Sequence, residues 1–537
     1  MNSFKIPPTL IAAGLFGAAS LSACFSDKEP PLTGTETETG DGDGDAEGDG
    51  DGDPSGDGDG DPSGDGDGDP SGDGDGDEEC TGEGCPCVDH DACDEDLYCS
   101  ASGECTQAVC GDANVEPGEQ CDDGNDIDGD GCDVDCTFTE VLYVDASYQN
   151  TCVLIEGGRV RCWGKNNLGQ LGYGHTDDIG DDETPASVGD VMLPEPGVEL
   201  TMGDSHSCIL MADMAVRCWG YGLNGRLGYG NTENIGDDEF PVSIVDVPIG
   251  GAALEVDAGG AHTCARLNDG KLRCWGAAFS GQLGYGNTET IGDNEFPLSA
   301  GDVPVGAAVV HVATGISHTC AITANGMIRC WGSGSGGALG YGNTNNIGDD
   351  EPANSAGNVP AIPMGLPPTT KATKLALGFM SCALYETGDV LCWGPNYSGE
   401  LGQGHTNNIG DDEAPGSAPP IDLGGAAVAI TAGDAHVCAL LDTKEVVCWG
   451  ANHYGQLGYG HTDNIGDDET PASAGAVQVG GPVKQVDAGG NHTCAILEET
   501  NEVVCWGINF DGELGRGHTD HIGDDELPVD AGPIELF

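Results

Sequence analysis

With 537 residues, 93 acidic against 16 basic side chains and a net charge of −77, the chain repels phosphate backbones, which excludes nucleic acid as a partner. Length alone implies roughly three or four domains, but a chain that repeats itself can form one large domain instead. The bulk of the acid is read as a solvated, soluble surface.

The N-terminus carries Lys5, an apolar and small-residue run from Thr9 to Ser20, and then small residues. That is a secretory signal, too short to span a bilayer as a helix. It ends in Leu21-Ser22-Ala23-Cys24, which resembles the lipobox of bacterial lipoproteins, where the cysteine is diacylated and becomes the first mature residue. The resemblance implies a signal peptide over 1–23 and a membrane anchor at Cys24. In that family an Asp after the cysteine often marks inner-membrane retention; here Phe25 follows, so the implied location is the cell envelope, at the outer membrane or cell surface.

Residues 24–79 hold the anchor and a Gly/Asp-rich low-complexity stretch that cannot build a core, and they are expected to be a disordered, self-repelling tether. Between 80 and 109, six cysteines (Cys80, Cys85, Cys87, Cys93, Cys99, Cys105) crowd a segment too short for an apolar core, so three disulfides are expected, with connectivity open among 15 possibilities. A zinc module is the competing reading, disfavoured because the only local histidine is His90.

Residues 110–138 resemble a short cysteine-rich repeat of secreted bacterial proteins, through Cys110-Gly-Asp, Gly118-Glu-Gln-Cys121-Asp-Asp-Gly-Asn, Cys132 and Cys136. Inside it Asp126, Asp128, Asp130 and Gly131 fit the opening of a calcium loop, in which alternate carboxylates converge and glycine permits the sharp turn. The twelfth position is Thr137 in place of a bidentate Glu, so a full EF-hand is excluded and a reduced calcium loop is the metal reading. No other cofactor is indicated. Setting Cys24 aside leaves 24 cysteines, an even number that fits complete oxidation outside the cytoplasm.

From 139 to 537 one unit is written seven times. Trp163, Trp219, Trp275, Trp331, Trp393, Trp449 and Trp506 are all the tryptophans of the chain, each inside Cys-Trp-Gly. In the third copy, alternation and turn residues predict strands around Leu254 and Val256, over His262–Leu267, over Lys271–Trp275, and over Phe296–Val303. Four short strands make a propeller blade, and seven blades closing a ring remove most exposed edges, so the expected fold is an all-β, seven-bladed β-propeller. Closure would bring the ends of the array, near 141–145 and 527–535, together, with the last copy ending on a fourth strand after Pro528.

Gly259 to His262, Trp275-Gly276 and Gly281 to Gly286, with counterparts in most copies, resemble the regulator of chromosome condensation repeat. The resemblance covers about three quarters of the chain and implies the seven-bladed propeller. The first copy departs with Gln149-Asn150 in place of His and the fifth with Met380, and every copy adds an acidic loop such as Gly174 to Glu183. A nucleotide-exchange activity known in the family is not carried over to an exported acidic chain.

Within the array the cysteines pair by spacing: Cys152 with Cys162, Cys208 with Cys218, Cys264 with Cys274, Cys320 with Cys330, Cys382 with Cys392, Cys438 with Cys448 and Cys494 with Cys505. A three-residue hairpin loop such as Ala324-Asn325-Gly326 would set the partners face to face as one disulfide per blade. His206, His262, His318, His436 and His492 read as structural strand residues rather than a metal ring. Arg161, Arg217, Arg273 and Arg329 are expected to stack on tryptophan or pair with the acidic loops. The string Gly332 to Gly337 has no helix after it and is no nucleotide loop. The acidic loop reads as a solvated turn with its Ile packed beneath, with calcium as the alternative. The expected function is a surface-tethered, non-enzymatic scaffold that binds an extracellular protein or polymer; the alternatives are a propeller-based hydrolase or lyase, which would need an asymmetric polar cluster, and a calcium-stabilised structural envelope protein.

Overall fold

In the computed structural model the described residues are 98–99, 105–106, 110–111, 113, 115, 119–125 and 127–537. Cys24, the signal and tether segments, Cys80 to Cys93 and Asp126 lie outside them. The described residues belong to two units divided between Gln107 and Ala108. In the first, Tyr98–Cys99 pairs antiparallel with Cys105–Thr106, Cys99 standing opposite Cys105, and Cys105 is disulfide-bonded.

The second unit opens on a cysteine-rich module stapled by Cys121–Cys132. Arg159 holds it to the array by donating to the Gly129 carbonyl at 2.6 Å. Complete oxidation is not what the structure shows: Cys110 and Cys136 are free thiols, hydrogen-bonded to each other, with Cys136 also donating to Glu119 at 3.3 Å. Desolvation first, then this contact and Glu119, raise the Cys136 thiol well above its ordinary range.

The array is a seven-bladed propeller of three-stranded antiparallel sheets. In the third blade the inner strand Ala253–Ala258 pairs with the middle strand His262–Leu267, which pairs with the outer strand Leu272–Gly276. The sequence reading is corrected in two ways. Leu254 does not share the buried face with Val256: a bulge leaves Leu254 unpaired between Ala253 and Glu255, turning it 46 % exposed. The fourth strand is also absent. Pro297–Ala300 is one helical turn with proline at its first position, and the outer strand is met only at points, by Ile291 bridging Gly276 and by Val303 N–H donating to Leu272 O at 2.9 Å. The last blade ends likewise, with a turn at Pro528–Ala531 and Ile534 N–H on Val503 O.

Each blade carries a disulfide between directly opposed residues of its middle and outer strands. The bonds join Cys152 with Cys162, Cys208 with Cys218, Cys264 with Cys274, Cys320 with Cys330, Cys382 with Cys392, Cys438 with Cys448 and Cys494 with Cys505, so every spacing-based pair of the array is present. Their Cα atoms stand 4.0–4.1 Å apart, the close approach of antiparallel strands at a directly opposed pair. None of these cysteines is a free thiol or is left to ligate a metal. The Ala324-Asn325-Gly326 loop is closed by Thr323 N–H on Met327 O and Gly326 N–H on Thr323 O, with Gly326 at φ +77°. In the last blade the extra residue sits in the turn, where Leu497 N–H reaches Glu502 O.

The seams between blades repeat one set of contacts. All seven tryptophans are fully buried, and each indole N–H donates at 2.9–3.0 Å to the carbonyl of the variable residue in the preceding blade's Gly-x-Leu-Gly turn. Trp163 reaches back to Glu513, so the ladder closes. Glycine is required where that turn meets the next acidic loop: Gly281 has φ +81°, and a Cβ there would sit 2.4 Å from Asp349 N. At closure the inner strands Val141–Ala146 and Val483–Ala488 meet through Gln485, which donates to Val144 O at 2.7 Å and accepts from Val144 N–H at 2.8 Å. The C-terminal segment meets the outer part of blade one, where Ala186 N–H donates to Glu535 O and Arg161 to Leu536 O.

Candidate binding site

The histidines resolve into the seam. His206, His262, His436 and His492 point Nε2 at the Thr263, Thr319, Thr493 and Thr151 hydroxyls of the next blade, and His318 at Ser381, all at 2.8–2.9 Å. Each of those hydroxyls must donate its own hydrogen to the turn carbonyl that the tryptophan also uses, as Thr319 does to Gln282 O at 2.9 Å. The histidines therefore donate through Nε2–H and are neutral. Burial holds them well below their ordinary range, His262 and His436 at about 3 and His318 and His492 at about 4. Two blades lack the histidine. In blade one the Asn150 amide turns to Lys165 O, while Ser207 of blade two keeps its bond to Gln170 O. Blade five has lost both partners of the pair: Met380 stands for histidine, and the residue of blade six that would receive it is Val437 in place of Thr or Ser.

The arginines neither stack on tryptophan nor reach the acidic loops. Arg161, Arg217 and Arg273 pair with Asp190, Asp246 and Asp302 at 2.6–3.0 Å, and Arg329 donates to Asn358 at 3.1 Å. These partners lie 29 residues downstream, on the outer rim of the same blade. Blades five to seven have Leu391, Val447 and Val504, and their corresponding partner positions are Pro420, Ala476 and Pro533. Blades one to three have the ion pair, blade four keeps the arginine with neutral Asn358, and blades five to seven lack both partners.

Where the inner strands line the axis, polar side chains replace strand pairing. Asp145 accepts from Met202 N–H at 3.2 Å, Asp257 from Thr314 N–H at 2.6 Å, and Asp487 from Ala146 N–H at 2.8 Å. Each satisfies a backbone group on the next blade that would otherwise lack a partner. Burial followed by mutual repulsion raises Asp145 well above the usual carboxylate range, and burial, offset by these hydrogen bonds, takes Asp487 to about 6. Glu199 is pushed up to about 8, by burial first and then by Glu255. Burial works against Glu255 as well, but His311 at 2.5 Å and Arg266 at 2.6 Å hold it down to about 2.

One face of the ring breaks the pattern. Four residues after each tryptophan stand Asn167, Leu223, Phe279, Ser335, Tyr397, His453 and Phe510, every one exposed. Phe279, Phe510 and Tyr397 are 67, 60 and 78 % exposed, which sets three aromatic side chains at equivalent positions of the ring. Phe510 packs edge-on against His521 at 4.6 Å and Tyr454 at 6.1 Å, and His521 also accepts from Asn509 N–H at 3.1 Å. The axial loops open on the same face, since Gln149 and Lys165 both reach Asp511 beside Phe510. A cavity of about 70 Å³ lies at that mouth, lined among others by Tyr148, Asp204, Ile316, Gly378, Asp434 and Gly490.

The regulator of chromosome condensation (RCC1) repeat profiles match residues 141–170, 254–282, 309–338, 427–456 and 483–513, and in a second form 269–322 and 445–496. The ring carries RCC1-type repeats. The chain is 29 % identical to the ultraviolet-B receptor UVR8 of Arabidopsis thaliana over 71 % of its own length and 80 % of that protein's. It is 30 % identical to the human E3 ubiquitin-protein ligase HERC2 over 68 % of this chain, a stretch that spans only 7 % of HERC2. Among solved structures, human WBSCR16 matches with TM-score 0.53 at 19 % identity, covering 69 % of this chain and 94 % of that one. Yeast RCC1 (Prp20), solved bound to Kap60, matches with TM-score 0.51 at 18 % identity, covering 65 and 78 %. These structures share the RCC1-type fold of this ring.

The metal readings fall on two places. In the cysteine-rich module Asp128 accepts from Val134 N–H at 3.1 Å and Asp130 from the Asn125 amide at 3.1 Å, so both brace the module's own loop. In the acidic loops, one oxygen from each of Asp181, Asp182 and Glu183 lies within 4.8 Å of the others, and four further blades repeat this with Asp237 to Glu239, Asp349 to Glu351, Asp411 to Glu413 and Asp467 to Glu469. The preceding Ile is buried in every copy, as in Ile179 and Ile522.

Proposed function

We propose that this chain is a binding scaffold for a protein or polymer outside the cytoplasm, tethered through lipid at Cys24. The observation that carries the reading is the contrast on one ring: seam residues repeat blade after blade, whereas the exposed loop tips run Asn, Leu, Phe, Ser, Tyr, His, Phe. A rigid frame presenting variable aromatic tips is what selective recognition requires. Yeast Prp20p, a fold relative with TM-score 0.50, has binding properties toward Gsp1p and histones, and protein binding is the use we transfer in kind without transferring those partners. We read the chain as non-enzymatic. In the channel Asp145, Asp257 and Asp487 are committed to backbone N–H groups and Glu255 to His311 and Arg266, and at the mouth no histidine, cysteine or lysine lines the cavity beside Asp204 and Asp434.

The test is recovery of labelled cell-surface material by the full chain and by F279S/Y397S/F510S. Loss of specific recovery in the triple variant supports the scaffold, and unchanged recovery defeats it. Cys24→Ser should leave protein unanchored or unprocessed, because lipid chains supply the membrane affinity; unaltered membrane fractionation would overturn the tether. The convergence of loop carboxylates favours a second, compatible reading, calcium as a stabiliser of the ring. Millimolar calcium should then raise the melting temperature and chelator lower it. A melting temperature indifferent to both sinks that reading.

A further inference from the structure

Resting on the scaffold reading and sharpening it, we propose that the axial mouth is a receptor for a lysine or arginine side chain presented by a loop or tail of a partner protein, with Asp204 and Asp434 meeting the cation and Tyr148 and Phe379 closing over its stem. The acids of the channel below are used by the fold, as described above. Asp204 and Asp434 are different: among the described residues neither carboxylate accepts a hydrogen bond, and the two come from blades two and six, on loops that face the same cavity. At the equivalent loop position blades three and seven have Gly260 and Gly490 and blade four has Ile316, so these charges are an exception that the repeat does not demand.

The rim supports the same occupant. Tyr148, 44 % exposed, lines the cavity, and Phe379, 52 % exposed, follows the lining residue Gly378 and donates its backbone N–H to Asp434 O at 3.0 Å. Aromatic faces beside carboxylates suit a cation on an alkyl stem, which gains both charge pairing and ring contact. A neutral occupant gains no charge pairing, and an anionic one is repelled by the two carboxylates. Arg226 lies within electrostatic reach of Asp204 but is engaged by the Gly260 carbonyl at 3.3 Å and lies 5.0 Å from the Tyr221 ring centre; Lys165 is paired with Asp511. Burial, and then repulsion from Asp204, raise Asp434 to about 7, so an arriving cation relieves an existing cost. The cavity, about 70 Å³, admits a side-chain head and not a folded surface, which places the rest of the contact on the aromatic tips around it. With 93 acids against 16 bases, a basic segment is also drawn toward the ring from a distance.

The experiment titrates the full chain with the blocked peptide Gly-Gly-Lys-Gly-Gly, with its ε-acetylated form and with free lysine, by calorimetry at about 0.3 M salt, where diffuse attraction is screened. The blocked lysine peptide should bind, its acetylated form at least tenfold more weakly, and D204N/D434N should lose about tenfold while D238N, on an outer acidic loop, keeps full affinity. Phe379→Ser should lose about threefold, which keeps the proposal testable if the double variant folds poorly. Affinity should rise from pH 6 to pH 8 and be flat in Asp434→Asn, because only the ionised carboxylate attracts the cation. Equal binding of the acetylated peptide, equal affinity in D204N/D434N, or free lysine binding as tightly as the peptide would each overturn it. If the loop-tip triple variant still loses surface partners while D204N/D434N does not, the scaffold stands and the axial receptor falls.

Discussion

The seams and the axial face of this ring are built from the same seven copies, yet they have opposite statistics. Along a seam each position is constrained by what the next blade offers: opposite Met380 stands Val437, whereas opposite Asn150 the Ser207 hydroxyl keeps its bond to Gln170 O. On the face the tips are exposed, even Phe510 with its edge-on contact to Tyr454, and seven copies carry six residue types at one position. Internal repetition therefore sorts structural from functional residues without any second sequence: what repeats closes the ring, and what varies while exposed and apolar is available to a partner.

The sharpest way to break this comparison is to truncate one residue of each class. Trp331→Ala removes a fully buried indole and its bond to Gln282 O, and large-to-small changes of that kind cost about 3–5 kcal/mol. Phe279→Ser, on the exposed face, should stay within about 0.5 kcal/mol. Denaturant unfolding measures both. A tryptophan variant as stable as the parent would mean that the seams do not hold the ring.

Much of the seam was legible in the sequence, because a regular spacing of tryptophans and of paired cysteines is a local signal that survives without coordinates. The two residues of each pair, such as Cys208 and Cys218 or Cys438 and Cys448, belong to one hairpin, so no distant part of the chain is needed to bring them together. Other parts were not legible. Phe296–Val303 looked like a strand from its apolar residues, but Pro297 and Gly301 favour a capped turn, and only Val303 keeps a ladder bond. The arginine partners were missed because they sit 29 residues away, although their joint loss after blade four was present in the sequence as a signal. Glu255 and Asp257 were visible as polar alternates of an inner strand. Their gathering with Asp145 and Asp487 on one axis depends on ring closure, which no single copy encodes. The unpartnered pair at the mouth, Asp204 and Asp434, was hidden for the same reason.

A second, smaller effect tests the hydroxyl–histidine link. His262→Met alone leaves Thr319 without its donor in a dry seam and should cost about 1–3 kcal/mol, whereas His262→Met with Thr319→Val copies the natural pair of Met380 and Val437 and should recover most of it. The pH dependence gives an independent reading. The folded histidines, at about 3 to 4, titrate below the unfolded value of about 6.5. Their contribution is thus full above about pH 6.5 and is lost as pH falls toward 4, each neutral histidine withdrawing about 1.4 kcal/mol per pH unit. Glu199 and Asp487 act in the opposite sense: raised to about 8 and 6, they favour the fold below about pH 4 and withdraw that support as pH rises through 6 to 8. The two windows overlap, and with four such histidines against two carboxyls stability should rise to about pH 6.5 and fall above it, the double variant flattening the acid side by one histidine's share. An acid limb unchanged in the double variant would show that the histidines are protonated in the folded ring, contrary to the seam geometry.

The smallest expected effect lies at the outer rim, where the ring itself tolerates both answers. Arg273 is largely buried and donates to Ile249 O at 2.8 Å as well as to Asp302, whereas Asp302 is more than a third exposed and also meets Lys271 at 3.3 Å. Removing Asp302 leaves the guanidinium its carbonyl partners, and removing Arg273 leaves the carboxylate its lysine and water, so neither charge is stranded as a deeply buried one would be. The coupling between Arg273→Leu and Asp302→Ala in a double-mutant cycle should be about 0.5–1 kcal/mol and should shrink in about 1 M salt. Blade six, which has Val447 and Ala476 at these places, is the natural double variant, and its outer strand Val446–Gly450 keeps the same pairing register as Leu272–Gly276. A coupling above about 2 kcal/mol would place the rim pair among the contacts that close the ring. In that case blades five to seven would have to hold their outer edges by apolar packing strong enough to replace it, through Leu391, Val447 and Val504, which are all buried.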